Sequence, residues 1–227
     1  MAGKKSAENN GKMFITIVGI VVALIMVVVV VAAVFAIKGG SAAEETVEQV
    51  ETVSDVEPIA TDFVEINIAD YGTITAELYG NIAPITVENF MKLVDEGFYD
   101  GLTFHRIISG FMIQGGDPLG NGMGGSDQQI KGEFKVNGVP NNIAHVRGVL
   151  SMARSMENDS ASSQFFIMHA DAPHLDGQYA AFGRVLSGIE VVDAICEKTP
   201  VVDNNGRVLP ESQPVITSIV RIDKPEE

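Results

Sequence analysis

The sequence predicts a mainly β domain, a closed antiparallel barrel capped by two α-helices, carried behind an N-terminal membrane-spanning helix. Three observations lead there. The 227-residue chain opens with a long apolar stretch. Many short runs of alternating character follow, separated by loops rich in Gly, Asn and Asp, and only two segments have helical spacing. A doubly wound parallel sheet would alternate strand and helix throughout, so an antiparallel barrel fits better.

Residues 13–37 form an apolar run of 25 residues interrupted only by Thr16 and Gly19. As a helix the run would measure about 37 Å, enough to cross a bilayer with some tilt. Lys4, Lys5 and Lys12 precede it, whereas the charges after Lys38 begin with Glu44, Glu45 and Glu48. This lysine bias places residues 1–12 in the cytoplasm and the main domain outside. Ser41-Ala42-Ala43 offers a small-residue cleavage site, so a cleaved signal peptide is the competing reading, and either one exports the domain. A buried soluble helix fits less well, because an all-apolar β-branched run of this length suits lipid. Residues 38–61 contain Gly39-Gly40-Ser41 and six acids. They read as a solvated linker, in preference to an acidic recognition motif.

The domain occupies 62–227. Val64, Ile66 and Ile68 alternate with polar residues, Tyr71-Gly72 turns the chain, and Ile74, Ala76 and Leu78 complete a hairpin. Pro84 opens a helix in which Val87, Phe90, Met91 and Val94 share a face, and Gly97 stands where a C-terminal glycine belongs. Strand-like runs follow at Thr103–Ile108, Phe111–Gln114, Val149–Ala153, Gln164–Met168 and Ala180–Val185. A second helix spans Glu190–Glu197, and an alternating run over Val215–Ile222 would close the sheet on itself. Phe90 and Ile195 are the expected core contributions of the two helices.

Net charge is −15. From Asp62 onward 11 basic residues face 23 acidic ones, a balance of −12, which argues against a nucleic-acid partner. Cys196 is the single cysteine, so no intrachain disulfide or cysteine metal cluster can form. His105, His145, His169 and His174 lack the spacing of a helical zinc site. No G-x-S-x-G setting supports a hydrolytic triad. Asn158-Asp159-Ser160 spells a glycosylation sequon, a triplet that arises often by chance. Gly120-Asn121-Gly122-Met123-Gly124-Gly125 spells the dinucleotide fingerprint, but it follows a Gly-Gly-Asp-Pro turn and leads into no amphipathic helix. It reads as a tight loop beside a groove.

Three further stretches carry the sharper signal. The first is Phe104-His105-Arg106-Ile107-Ile108-Ser109-Gly110-Phe111-Met112-Ile113-Gln114-Gly115-Gly116-Asp117. The second pairs Gly148-Val149-Leu150-Ser151-Met152-Ala153-Arg154 with Ser162-Ser163-Gln164-Phe165-Phe166-Ile167. The third runs from His174-Leu175-Asp176-Gly177-Gln178-Tyr179 to Ala180-Ala181-Phe182-Gly183. In this order and spacing they resemble a cyclophilin over about Phe63 to Ile222. The resemblance implies an eight-stranded antiparallel barrel with two helices, and a peptidyl-prolyl cis-trans isomerase acting on proline-containing polypeptides, here in extracytoplasmic proteins.

It also implies residue roles. Arg106 falls at the family's catalytic arginine, and Phe111, Met112, Phe166 and Leu175 fall where the proline ring is received. Gln114 matches the glutamine that holds a substrate carbonyl and helps place the arginine. Ala153, Arg154 and Gln164 match the groove for residues preceding proline, residue 154 through its backbone. His105, His174 and Tyr179 complete the expected substrate-binding set, Tyr179 as an aromatic wall. Many eukaryotic members carry Trp at the position of His174 and His at that of Tyr179. Without the indole N–H, tight cyclosporin binding is doubtful. Met123 would narrow a secondary pocket for the residue before proline. No metal or organic cofactor is implied, since the chemistry is rotation about one bond. The alternative function is a membrane-displayed binding or chaperone module that grips proline-containing loops with little turnover.

Overall fold

A computed structural model describes residues 56–226. The expected membrane-spanning run at 13–37 lies outside the described residues, as does most of the expected linker. Among the described residues no helix is long and apolar enough to cross a membrane. Within the linker's last part, Asn81 accepts the N–H of Ile59 at 2.9 Å and donates to the carbonyl of Glu57 at 2.8 Å, so contact with the domain begins ahead of Asp62.

Eight strands and two α-helices follow in order: β1 (Asp62–Ile68), β2 (Gly72–Leu78), α1 (Pro84–Asp95), β3 (Phe104–Ile108), β4 (Met112–Gly115), β5 (Val149–Met152), β6 (Phe165–Met168), β7 (Ala181–Ser187), α2 (Ile189–Lys198) and β8 (Ile216–Ile222). They build one antiparallel sheet in the order β3-β4-β6-β5-β7-β2-β1-β8. Alternation decides which side chains enter the core. Val64, Ile66 and Ile68 of β1 and Ile74, Ala76 and Leu78 of β2 are all buried. Phe90 of α1 meets Tyr99, Phe165 and Phe182 with ring centroids 5.2, 5.5 and 5.2 Å away. Val191, Val192 and Ile195 of α2 join the same core.

The expected closed barrel is corrected to a curled sheet whose end strands barely meet. The residues leading into β3 and β8 touch through one bridge, Thr103 to Val215, with backbone hydrogen bonds from Phe104 to Pro214, Gly101 to Ile216 and Ile216 to Leu102. Pro214 has no N–H to extend the ladder. Farther along, the outer edge of β3 is taken by another segment. Ile107 donates to Gly206 at 2.8 Å and Val208 donates to His105 at 3.0 Å, which lays the 203–208 turn against Arg106.

Buried polar groups hold the connecting segments. Helix α1 starts on Pro84 without a side-chain cap. Its free donors are met from 47 residues away by Glu133, 2% exposed, which accepts from the N–H of Thr86 at 2.7 Å, its hydroxyl at 2.7 Å and the N–H of Ile85 at 3.1 Å. A carboxylate there also sits favourably at the positive end of the helix dipole. The helix ends as expected on left-handed Gly97 (φ 67°), with Phe98 N–H on the Leu93 carbonyl at 2.9 Å and Gly97 N–H on that of Val94 at 3.0 Å. His145 is enclosed between Asp176, 3.0 Å from Nδ1, and Ser151, 3.0 Å from Nε2. Burial lowers its pKa against the opposing pull of Asp176.

Two stability predictions follow from these groups. Glu133→Ala strands three donors and should cost about 2 to 3 kcal/mol, read by denaturant unfolding; an unchanged midpoint would show that the carboxylate is dispensable. The lowered pKa of His145 means the unfolded chain binds the extra proton first. Its contribution is complete above about pH 6.5 and declines as pH falls from there through the folded value. The thermal midpoint should therefore drop on going from pH 7 to pH 5, and His145→Gln should make that step smaller.

Candidate active site

Cross-strand register assembles the site on the outer face of the sheet. Arg106 of β3 pairs with Gln114 of β4, Gln114 with Phe166 of β6, and Phe166 with Ser151 of β5. Residues directly opposite in a ladder project to the same side, so one row carries a cation, an amide and an aromatic ring. Around it lies an apolar cluster separate from the core, containing Met112, Phe166, Met168 and Leu175, with Phe111, Ala153 and Tyr179 packed against it.

Ten of the twelve residues expected from the sequence line one cavity of about 350 Å³. Phe111, Met112, Phe166 and Leu175 form its apolar part. His174 lies 5.6 Å from the Phe111 ring, and Tyr179 stands edge-on to Phe166 at 6.0 Å. Arg106, Gln114, Ala153 and Arg154 complete the wall. The other two residues lie next door. Gln164 lines an adjoining cavity of about 370 Å³ with Met123 and the glycine loop, and His105 lines a third of about 440 Å³.

The guanidinium of Arg106 is held by three oxygens. Nη1 donates to Gln114 Oε1 at 3.2 Å, Nε to the Asn205 carbonyl at 2.9 Å and Nη2 to Asn205 Oδ1 at 3.2 Å. Burial lowers the pKa of Arg106, while Tyr179 and Asp203 act to raise it. Because arginine only donates, it fixes the direction of the amides beyond it. Gln114 Nε2 donates to Gln164 Oε1 at 2.8 Å, and Gln164 Nε2 donates to the Gly124 carbonyl at 2.7 Å.

The glycine loop is anchored from below by Asp117. Burial pushes this carboxyl's pKa up, but the N–H groups of Leu119, Asn121, Gly122 and Gly124 outweigh it and hold the pKa below the usual range. Donors that a pyrophosphate would need are already turned onto an internal carboxylate, which is the physical reason the dinucleotide spelling fails here.

The side chain of Arg154 is fully engaged in the fold. Its guanidinium lies 5.0 Å from the Phe134 ring centre and 4.8 Å from that of Tyr179, and donates to the carbonyls of Gln178 and Ser155.

Two features escaped the sequence. Asn205 clamps Arg106 across 99 residues; Asp203-Asn204-Asn205-Gly206 is legible as a turn, but nothing local says what the turn touches. Ser151, His145 and Asp176 are connected like a hydrolytic triad. Ser151 is 0% exposed, so no substrate carbonyl can reach it. His145 instead backs the pocket, stacked on Phe166 with centroids 6.1 Å apart.

Comparison with known proteins agrees with this geometry. Residues 63–221 match the family model for cyclophilin type peptidyl-prolyl cis-trans isomerases. Peptidyl-prolyl cis-trans isomerase B of Bacillus subtilis (strain 168) is 51% identical over 123 residues, covering 54% of this chain and 82% of that protein. A peptidyl-prolyl cis-trans isomerase of Helicobacter pylori (strain J99) is 48% identical over 126 residues, 55% of this chain and 75% of the relative. The crystal structure of a cyclophilin type isomerase from Cryptosporidium parvum, 32% identical, superposes with a TM-score of 0.63 over 72% of this chain and 99% of its own. A second structure of that protein was determined in the presence of the dipeptide Ala-Pro. Fold, site row and relatives thus converge: the chain belongs to the cyclophilin-type peptidyl-prolyl cis-trans isomerases.

Proposed function

We propose that this isomerase acts on extracytoplasmic polypeptides and that Arg106 supplies the catalytic hydrogen bond. An amide resists rotation by about 18 to 20 kcal/mol because the nitrogen lone pair is shared with the carbonyl. Twisting the bond returns that pair to nitrogen. A guanidinium aimed there makes a hydrogen bond available only in the transition state, which is the condition for lowering a barrier. One charge-assisted bond contributes roughly 1.5 to 3 kcal/mol, about 10- to 100-fold in rate. The apolar walls of Phe111, Met112, Phe166 and Leu175 add to this by gripping the ring and excluding water, which strengthens the arginine's field.

The observation that carries the reading is the position of Arg106, fixed by Gln114 and Asn205 at the rim of an apolar cavity. The Ala-Pro dipeptide present with the Cryptosporidium relative supports a proline-containing substrate. In this reading Gln114 offers its remaining N–H to the substrate carbonyl, and Ala153, Arg154 and Gln164 receive the residues before proline.

The cellular placement rests on residues 13–37 as an uncleaved anchor, with 1–12 cytoplasmic, 38–61 a spacer and 62–227 the catalytic domain. That arrangement would put the active site where exported chains fold, a process otherwise slowed by isomerisation over tens to hundreds of seconds.

Cis-to-trans isomerisation of a short Xaa-Pro peptide should be accelerated by the full chain, and Arg106→Ala should lower kcat/KM by about 10- to 100-fold or more. Turnover unaffected by this substitution would sink the mechanism and leave the groove as a binding site. Between pH 7 and 9 the rate should be flat, since arginine stays charged throughout. In cells the full chain should sediment with membranes and resist alkaline extraction, and a variant lacking residues 13–37 should not; a soluble full chain would refute the anchor.

A further inference from the structure

Beside the proline pocket, sharing Arg106 and Gln114 with it, lies the cavity of about 440 Å³. Its walls come from two distant segments, the glycine loop at 120–122 and the turn at 203–210. Its hydrogen-bonding groups are unevenly used. The acceptors are occupied: Gln114 Oε1 and both oxygens of Asn205 take Arg106. Asn121 Oδ1 takes the N–H of Met123. Asp203 Oδ1 takes the N–H groups of Asn205 and Arg207, and its Oδ2 faces Arg207 Nε at 3.6 Å.

The donors are left over. Arg106 has five N–H groups and directs three atoms at its clamp. Arg207 meets only Asp203 among the described residues, and its side chain is 67% exposed. His105 lies in the wall beside them. It is 5% exposed on the cavity wall, and both ring nitrogens lack a partner among the described residues. A buried polar group in that state calls for an explanation. Burial lowers its pKa while Asp117 acts to raise it, and both nitrogens are shielded from solvent, so the ring backs the wall and the facing donors are those of the two arginines. Two guanidinium groups stand against one carboxylate here, in a chain whose net charge is −15.

We propose that this cavity is a specificity subsite for an acidic side chain, Asp or Glu, that the substrate carries one or two residues after proline. A surplus of donors with a positive balance suits a carboxylate, which accepts through two oxygens. The position follows from the layout and rests on the isomerase reading above. Residues before proline take the groove of Ala153, Arg154 and Gln164, and this cavity meets the pocket at Arg106 and Gln114. Two residues span about 7 Å of chain, so a side chain leaving just past the ring can cross Arg106 and enter.

The test uses the full chain and peptides that carry Glu, Gln or Lys at the first or the second position after proline or, as a control, just before it. Both Kd and kcat/KM are measured at low salt and at high salt. Glu should be favoured over Gln by about three- to ten-fold and Lys should be worst, the modest size reflecting an exposed Arg207. Screening should compress the series at high salt. Arg207→Gln, a change at an exposed side chain, should bring the Glu-to-Gln ratio close to one. A preference that appears only when the acid precedes proline, equal Kd values for Glu and Gln at both positions after it, or a Glu preference untouched by Arg207→Gln would each overturn the subsite. Because Kd needs no turnover, the subsite is decided even if no peptide is accelerated, an outcome that would count against the catalytic reading alone.

Discussion

The site depends on how one guanidinium is held. Arg106 presents donors only, so every group that touches it must be an acceptor, and the choice propagates outward. Gln114 must turn its oxygen toward Arg106, which leaves its nitrogen for Gln164, whose own nitrogen then reaches the Gly122 and Gly124 carbonyls. Those glycines are pinned in turn by the Asp117 carboxylate beneath them. A chain of directional bonds thus runs from Arg106 to a buried anion, and no amide in it can flip without stranding a partner.

The imperfect closure of the sheet is part of the same arrangement. Had the segment leading into β8 continued to pair along β3, the outer edge of β3 would have been sealed and Arg106 would have had no second clamp. Pro214 limits that pairing, and the edge is taken by residues 206–208. Gly206 makes the approach possible: its φ is 81°, and a Cβ there would lie 2.3 Å from the Ile107 carbonyl oxygen. The turn can then set both oxygens of Asn205 against Arg106.

Legibility in the sequence tracked distance along the chain. The first hairpin, helix α1 and its Gly97 terminus were readable because period two, period 3.6 and a left-handed glycine are local signals. Of the twelve site residues expected from the resemblance to a family, ten line one cavity. What could not be read was the pairing of remote groups: Glu133 with the start of α1, Asn205 with Arg106, His145 with Ser151 and Asp176. Each is a polar contact whose partner is chosen by tertiary packing. The closed barrel was over-read for the same reason, since alternation over Val215–Ile222 marks a strand but not how far it pairs.

The identity of the Arg106 partners would resolve a conflict built into the proposed catalysis. Excluding water strengthens the arginine's field on a bound substrate, but it also penalises the charge itself, and burial does lower the Arg106 pKa. A buried carboxylate partner would offset that cost most directly, yet it would neutralise the field the substrate is meant to meet. The three oxygens on Arg106 are neutral, two amide side chains and one backbone carbonyl. The nearby acid, Asp203, is turned onto the N–H groups of its own turn and toward Arg207. Neutral acceptors fix the direction of the guanidinium while leaving its charge unspent, which is what the proposed action on the prolyl nitrogen requires.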